Sequence, residues 1–216
     1  MKDKMAIYIF CYGFNHDENR PIAAERMKYI NSDTESYGDE KYFGWRLLQI
    51  AFDETFGVNV DNLNPRQLET GKWIIDNYYF SISDSGKYVM VGVSTKPLGV
   101  DVQKIREVPY DHFVNREMCP EEIEYYLGKK PWEHYYEHVE KESIYKCYGK
   151  GPIEWKKINT LKYKDRLHSG EFGDYLYSIC SELFIDKDFK FKIQCNFNID
   201  DPLFITKHST IYGKYD

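Results

Sequence analysis

The segment "YYFSISDSGKYVMVGVSTKPLGVDVQ", Tyr78 to Gln103, constrains the fold more than any other, because three β-prone runs follow one another with only short breaks. Tyr78 to Val93 reads as a hairpin: two apolar runs separated by a tight polar turn that contains Ser81, Ser83, Asp84 and Ser85. The "STKP" turn then leads into "LGVDVQ", Leu98 to Gln103. Breaks this short suit a mostly antiparallel arrangement. A two-residue turn would reverse the chain without three serines and an aspartate, so those side chains call for a second use.

Elements on either side fill out a sheet-and-helix pattern. Residues 5–12, "MAIYIFCY", are a continuous apolar run of strand length. In "GDEKYFGWRLLQIAFDETFG", Phe43, Leu47, Ile50 and Ala51 form a stripe at helical spacing. Glu54 interrupts it, Phe52 and Phe56 extend the apolar surface on the neighbouring flank, and Gly57 follows the end. "RQLETGKWII" supplies further strand. Beyond residue 104, "CPEEIEYYLG" reads as a short helix with a proline and two acids in its first turn. "PWEHYYEHVEKESIYKCYGKG" is a longer helix from Pro131 to Gly149, with Tyr135, Tyr136, Val139, Ile144 and Cys147 toward a core. Strand-like runs follow at Ile158–Tyr163, Tyr175–Cys180 and Phe189–Phe197. The pattern predicts an α+β protein of two similar lobes, residues 1–98 and 99–216, each a mostly antiparallel sheet packed with helices.

Composition closes off several function classes. With 42% hydrophobic residues in 216, the chain can bury a real core without a partner, and a monomer is expected. A net charge of −6 with no basic block argues against nucleic acid. The five cysteines are scattered without a Cys-x-x-Cys pair, as in reduced cytosolic proteins, and argue against a disulfide framework or a zinc cluster. The apolar run at the start is too short to span a membrane and no small-residue cleavage site follows it, so a soluble cytoplasmic protein is expected.

Two acidic clusters could carry chemistry. In "GVDVQKI", strand alternation sends Val100 and Val102 to the core and puts Asp101 and Gln103 together on the other face. In "EKESIYK", Glu142 and Lys146 share a helical face, with His138 one turn earlier. A carboxylate on a strand and one on a helix can converge on a magnesium ion whose remaining ligands are waters and phosphate oxygens, with Lys141 and Lys146 offsetting phosphate charge. Taken alone, the Glu142–Lys146 spacing also suits a solvated ion pair, and Asp101 also suits a strand end.

The order of these motifs resembles the Sfp-type 4'-phosphopantetheinyl transferase family. That family has a hairpin of pattern Phe-x-Ile-Ser-His-Ser-Gly, then Gly-Val/Ile-Asp-Val/Ile-Glu, then a helix with Trp/Phe-x-x-Lys-Glu-Ser/Ala-x-x-Lys. The counterparts are Phe80–Gly86, Gly99–Gln103 and His138–Lys146, and Gly71-Lys72 is similar to a Gly-Lys-Pro element upstream. The likeness runs over roughly residues 40 to 150. It implies a two-lobed pseudo-dimer that binds coenzyme A and Mg2+ between its lobes. Such a protein moves the 4'-phosphopantetheine arm to a serine of an apo acyl or peptidyl carrier protein and leaves 3',5'-ADP. By the same resemblance, Asp101, Gln103 and Glu142 are metal ligands, with Glu142 or a metal-bound water as general base. Lys141 and Lys146 are pyrophosphate and positioning contacts, Lys72 meets nucleotide phosphates, Ser83 lies where the hairpin touches coenzyme A, and Arg46 faces the nucleotide. Arg46 and Lys72 are equally consistent with surface cations.

Three positions depart from the pattern. Asp84 stands where the hairpin histidine is usual and would repel a phosphate; Gln103 replaces a carboxylate; His138 replaces an aromatic residue. A non-catalytic or weakly active homologue that binds carrier protein or coenzyme A is therefore the alternative. An acidic carrier would need a local basic and apolar patch, for which "CPEEIEYYLGKKPW", with Lys129, Lys130 and Trp132, is suited.

Overall fold

The computed structural model describes residues 3–11, 35–68, 72–106, 110–129, 133–149, 151–183 and 192–193. Strand β1 (Met5–Cys11) and helix α1 (Glu35–Phe56) come first, then the short pair β2 (Arg66–Gln67) and β3 (Trp73–Ile74). Three strands follow in succession: β4 (Tyr79–Ser85), β5 (Tyr88–Ser94) and β6 (Leu98–Lys104). Helices α2 (Tyr110–Arg116), α3 (Pro120–Tyr126) and α4 (Glu133–Tyr148) precede a second hairpin, β7 (Leu167–Phe172) and β8 (Tyr175–Ser181), and β9 (Lys192–Ile193) ends the series. No helix among the described residues is long and apolar enough to cross a membrane.

The α+β reading holds. One sheet has the order β4-β5-β1-β9, antiparallel except that β9 runs parallel to β1, and a second, antiparallel sheet has the order β6-β8-β7. On the first sheet, Ala6, Tyr8, Val89, Val91 and Val93 pack against Trp45, Leu48, Ala51 and Phe52 of α1. From its opposite face Met5, Ile7, Ile9 and Met90 pack against Leu98, Val100, Val102 and Ile179 of the second sheet. The far side of that sheet meets α4 through Leu176 with Val139, and through Cys180 with Ile144 and Cys147. The layers are therefore helix, sheet, sheet, helix, and β5, covered on both faces, needs its unbroken apolar run. Cys119, Cys147 and Cys180 are free, buried thiols.

The serines of β4 join the two sheets. Strand β6 pairs with β8 on one side only, so alternate N–H groups along its other edge require acceptors. Ser81, Ser83 and Ser85 supply them: their Oγ atoms accept from the N–H of Val100 (3.0 Å), Val102 (3.3 Å) and Lys104 (3.0 Å). The polar stretch expected to form the turn is thus strand, and the reversal is made by Gly86 and Lys87 alone. Gly86, with φ 58°, takes the positive value that a tight hairpin turn requires. On its other side β6 lies directly on α4. A Cβ at Gly99 would stand 2.0 Å from the Ser143 carbonyl oxygen and 2.5 Å from the Cys147 nitrogen, so only glycine permits this approach.

The strand expected over Ile158–Tyr163 is not formed; Trp155–Lys157 and Thr160–Tyr163 are 3-10 turns. The cause is the buried carboxylate of Glu122, which draws in both the N–H (2.7 Å) and the hydroxyl (2.9 Å) of Thr160 and bends the chain around itself. Strand β7 was not expected. Gly71, Lys130, Pro131, Trp132 and all of 189–197 except Lys192–Ile193 lie outside the described residues.

Ser81→Ala leaves the buried N–H of Val100 without its acceptor. Urea denaturation should register a loss of about 1–3 kcal/mol, the cost of an unmet buried donor, and an unchanged midpoint would show that the hydroxyl is dispensable.

Candidate active site

Strands β3 and β4 and helices α1 and α4 line a cavity of about 400 Å3, a volume suited to a small organic ligand. Trp45, Trp73, Phe80 and Tyr145 wall it, and its charged lining residues are Lys41, Lys72, Asp84, Glu142 and Lys146. Behind them, Asp101 is 1% exposed.

The backbone contacts explain this convergence. Because Gly99 lets β6 touch α4, the Asp101 carboxylate meets the Lys146 ammonium at 2.6 Å (Nζ to Oδ1), and Ser83 donates to the same oxygen at 2.6 Å. Lys146 is 27% exposed, so it bridges the buried carboxylate and the cavity. Burial alone would lower the Lys146 pKa, but Asp101 and Glu142 overcome that and hold it above the ordinary value. Burial pushes the Glu142 carboxyl up, and the charge of Asp101 adds to it against the opposing effect of Lys146 and His138. Lys72 reaches the cavity from the chain before β3 and donates to the Cys147 carbonyl (3.1 Å) in the last turn of α4.

Asp101 and Glu142 are the groups able to hold a cation. The Oδ2 atom of Asp101 is buried and makes no hydrogen bond, which leaves one carboxylate oxygen available to a ligand. Among the described residues, no three His, Cys, Asp or Glu side chains converge as a metal-binding group. Gln103 lies on the same strand face as Asp101 and is engaged with the hairpin, its Oε1 accepting from Ser85 at 3.4 Å.

Ser83, Lys141 and Arg46, also proposed from the sequence, do not line the cavity. Ser83 is turned inward onto β6, and its hydroxyl is committed to Asp101 and Val102. Lys141 is fully buried: its ammonium meets Glu122 (2.7 Å), Glu137 (2.9 Å) and the carbonyls of Trp155 (2.9 Å) and Ile158. It ties α4 to α3 and to the 3-10 turns, which is incompatible with a phosphate contact in the cavity. Arg46 donates along its own helix to Tyr42 Oη (3.1 Å) and Gln49 Oε1 (3.0 Å). Asp84 is exposed and lines the cavity, and no ion pair with Lys87 relieves its charge.

Two participants went unnoticed in the sequence. Lys41 lines the cavity one helical turn before Trp45, so the spacing alone puts the pair on one face of α1. Glu117, just after α2, accepts from His138 Nδ1 at 2.7 Å. No local pattern signals that contact, because its partners are 21 residues apart.

The Glu117–His138 pair has a definite pH signature. Burial alone would lower the imidazole pKa, but the hydrogen bond and charge of Glu117, with smaller help from Glu142 and Asp101, raise it above the ordinary value. Its contribution to stability is present below the unfolded value of about 6.5 and is lost as pH rises through the raised folded value. Glu117→Gln should therefore lower the urea midpoint more at pH 5.5 than at pH 9, and should move the His138 imidazole NMR titration to lower pH. An unmoved titration would show that Glu117 does not set the charge of His138.

No family model matches the chain. Comparison with curated proteins finds similarity to the 4'-phosphopantetheinyl transferase of Bacillus subtilis, 30% identical over 115 residues. The match takes in 50% of this chain and 51% of the relative, so the chain spans about half the length of the curated relative it matches. Over that half the chain is similar to a protein named a 4'-phosphopantetheinyl transferase, the family that the motifs at Phe80–Gly86, Gly99–Gln103 and His138–Lys146 resemble.

Proposed function

We propose that the protein is an Sfp-type, magnesium-dependent enzyme that transfers the 4'-phosphopantetheine arm of coenzyme A to a serine of an apo acyl or peptidyl carrier protein, releasing 3',5'-ADP. One observation carries the reading: the Asp101, Glu142 and Lys146 set converges beside an aromatic-walled cavity that two further lysines line. Similarity to a transferase of that name supports it.

Each residue type answers a need of the reaction. The serine oxygen forms a bond to the pantetheine-bearing phosphorus while the bond from that phosphorus to the bridging oxygen breaks, and negative charge grows on the departing nucleotide phosphate. Lys146, fixed by Asp101 and kept protonated by its acidic neighbours, meets that charge, with Lys72 and Lys41 along the wall. Glu142, on the cavity wall beside Lys146, accepts the serine proton. Asp101, through its unpartnered Oδ2, and Glu142 would hold magnesium, which when bound neutralises pyrophosphate charge. Gln103 stays beside this pair as an uncharged neighbour. For the carrier we assign the end of α3, where exposed Tyr125 and Leu127 stand beside Lys129, whose ammonium lies 3.6 Å from the Tyr125 ring centroid.

Purified protein with magnesium, coenzyme A and several apo carriers should add one phosphopantetheine mass to at least one carrier. Glu142→Ala should lower kcat/KM by about 10²–10⁴. No mass gain on any carrier would overturn the enzyme reading and leave a binding homologue. Separately, Gln103→Glu adds a charge beside Asp101 and should lower the magnesium concentration for half-maximal rate; an unchanged value would place residue 103 outside the ion's influence.

A further inference from the structure

The turn after α1 has no part in the chemistry above, yet it reaches the back of the cavity wall. Val60–Leu63 is a 3-10 turn whose first residue is fully buried in the core cluster with Leu48 and Phe52. Asn59 caps it by accepting from the Asp61 N–H at 2.9 Å, and Asn64 closes it in the left-handed region at φ 50°, which asparagine tolerates. A turn pinned at both ends holds Asp61 against α1. Its Oδ1 accepts from Trp45 Nε1 at 3.1 Å and its Oδ2 from Gln49 Nε2 at 2.6 Å. Trp45 and Gln49 are one helical turn apart on the same face of α1, and each is 2% exposed.

Trp45 is the centre of the aromatic wall. Its ring centroid lies 5.5 Å from that of Trp73 and 6.3 Å from that of Phe80, edge-on to the latter, and all three residues line the cavity. An indole has one polar atom, so the bond that atom makes decides how the ring is turned. Asp61 supplies that bond from behind the wall and is not itself among the lining residues. Trp73, which directly follows Lys72 in the chain, and Phe80 of β4 take their places against the ring so fixed. The carboxylate therefore reaches the cavity through the shape of its wall.

We infer that Asp61 is a positioning residue for the ligand of this cavity, acting through the Trp45 indole that it holds in place. This rests on the coenzyme reading of the cavity and deepens it, because it traces ligand affinity to a residue that touches no ligand. The sign of the effect separates this role from electrostatics. A carboxylate that acted on an anionic ligand by its charge alone would weaken binding, and its removal would tighten it. A carboxylate that acts through Trp45 strengthens binding, and its removal loosens it.

Calorimetric titration of the full chain with magnesium and coenzyme A, in a double-mutant cycle, tests this without any need for turnover. Asp61→Leu should weaken binding by about three- to thirtyfold, whereas the same change made in Trp45→Phe, which has no indole N–H to hold, should alter it by less than about twofold. An equal loss in both backgrounds would overturn the inference, as would unchanged or tighter binding by Asp61→Leu. Should a variant not fold, the wild type decides: its Trp45 indole N–H resonance in a 15N-labelled sample should shift as coenzyme A saturates the protein, and an unmoved set of indole resonances overturns the inference. If the wild type does not bind coenzyme A at all, the coenzyme reading itself falls and takes this inference with it, a result distinct from binding without coupling.

Discussion

The arrangement depends on three hydrogen bonds that belong to no sheet. The free edge of β6 offers the N–H groups of Val100, Val102 and Lys104, and β4 answers with Ser81, Ser83 and Ser85 at a constant offset of 19 residues. A backbone edge would have served as well and would have merged the sheets into one. Side-chain acceptors instead hold the two strands side by side while leaving each in its own sheet, and they do so at a fixed register. That register puts Ser83 on Asp101 and so aims one carboxylate oxygen at Lys146. Buried hydroxyl acceptors are individually worth about 1 kcal/mol net, but each unmet donor would cost more.

The long helix α4 carries two lysines five residues apart with opposite duties. Lys141 closes a charge cluster sealed from water, where Glu122 accepts from the Cys119 N–H, Thr160 and Lys141 together. Lys146 stands half open to the cavity on a single buried aspartate. Buried ion pairs seldom add much net stability, yet loss of one partner strands the other. The closed cluster therefore pins α3, α4 and the 3-10 turns to one another, and the open pair can exchange part of its bonding for a ligand.

Much of this was legible in the chain. Period-two alternation gave Val100 and Val102 to the core and Asp101 to the opposite face, and helical spacing joined Glu142 to Lys146. The hairpin around Gly86, both long helices and the α+β class follow from the same periodicities. What local pattern could not supply were the long-range demands of buried groups. Ser83 reads as a turn residue until the unpaired edge of β6 is in view, Lys141 reads as a phosphate contact until Glu122 and Glu137 surround it, and Ile158–Tyr163 has a strand's composition but is bent by Glu122. Glu117 escaped notice for the same reason, since its contact with His138 exists only once α2 and α4 are packed. The hairpin at Gly173–Asp174, by contrast, carried an ordinary two-residue turn signal between Phe172 and Tyr175.

The parallel pairing of Lys192–Ile193 with Tyr8–Ile9 has a consequence for how the chain is made. Strand β1 leaves the ribosome first among the described elements, and its antiparallel partner β5 follows about eighty residues later, but the strand on its other side comes last. Until then none of the described strands pairs with that flank of β1, which can template an extended segment of the same or another chain. A nascent polypeptide of this design is thus most vulnerable to intermolecular pairing at its earliest strand, and a chaperone that recognises it would serve longest there.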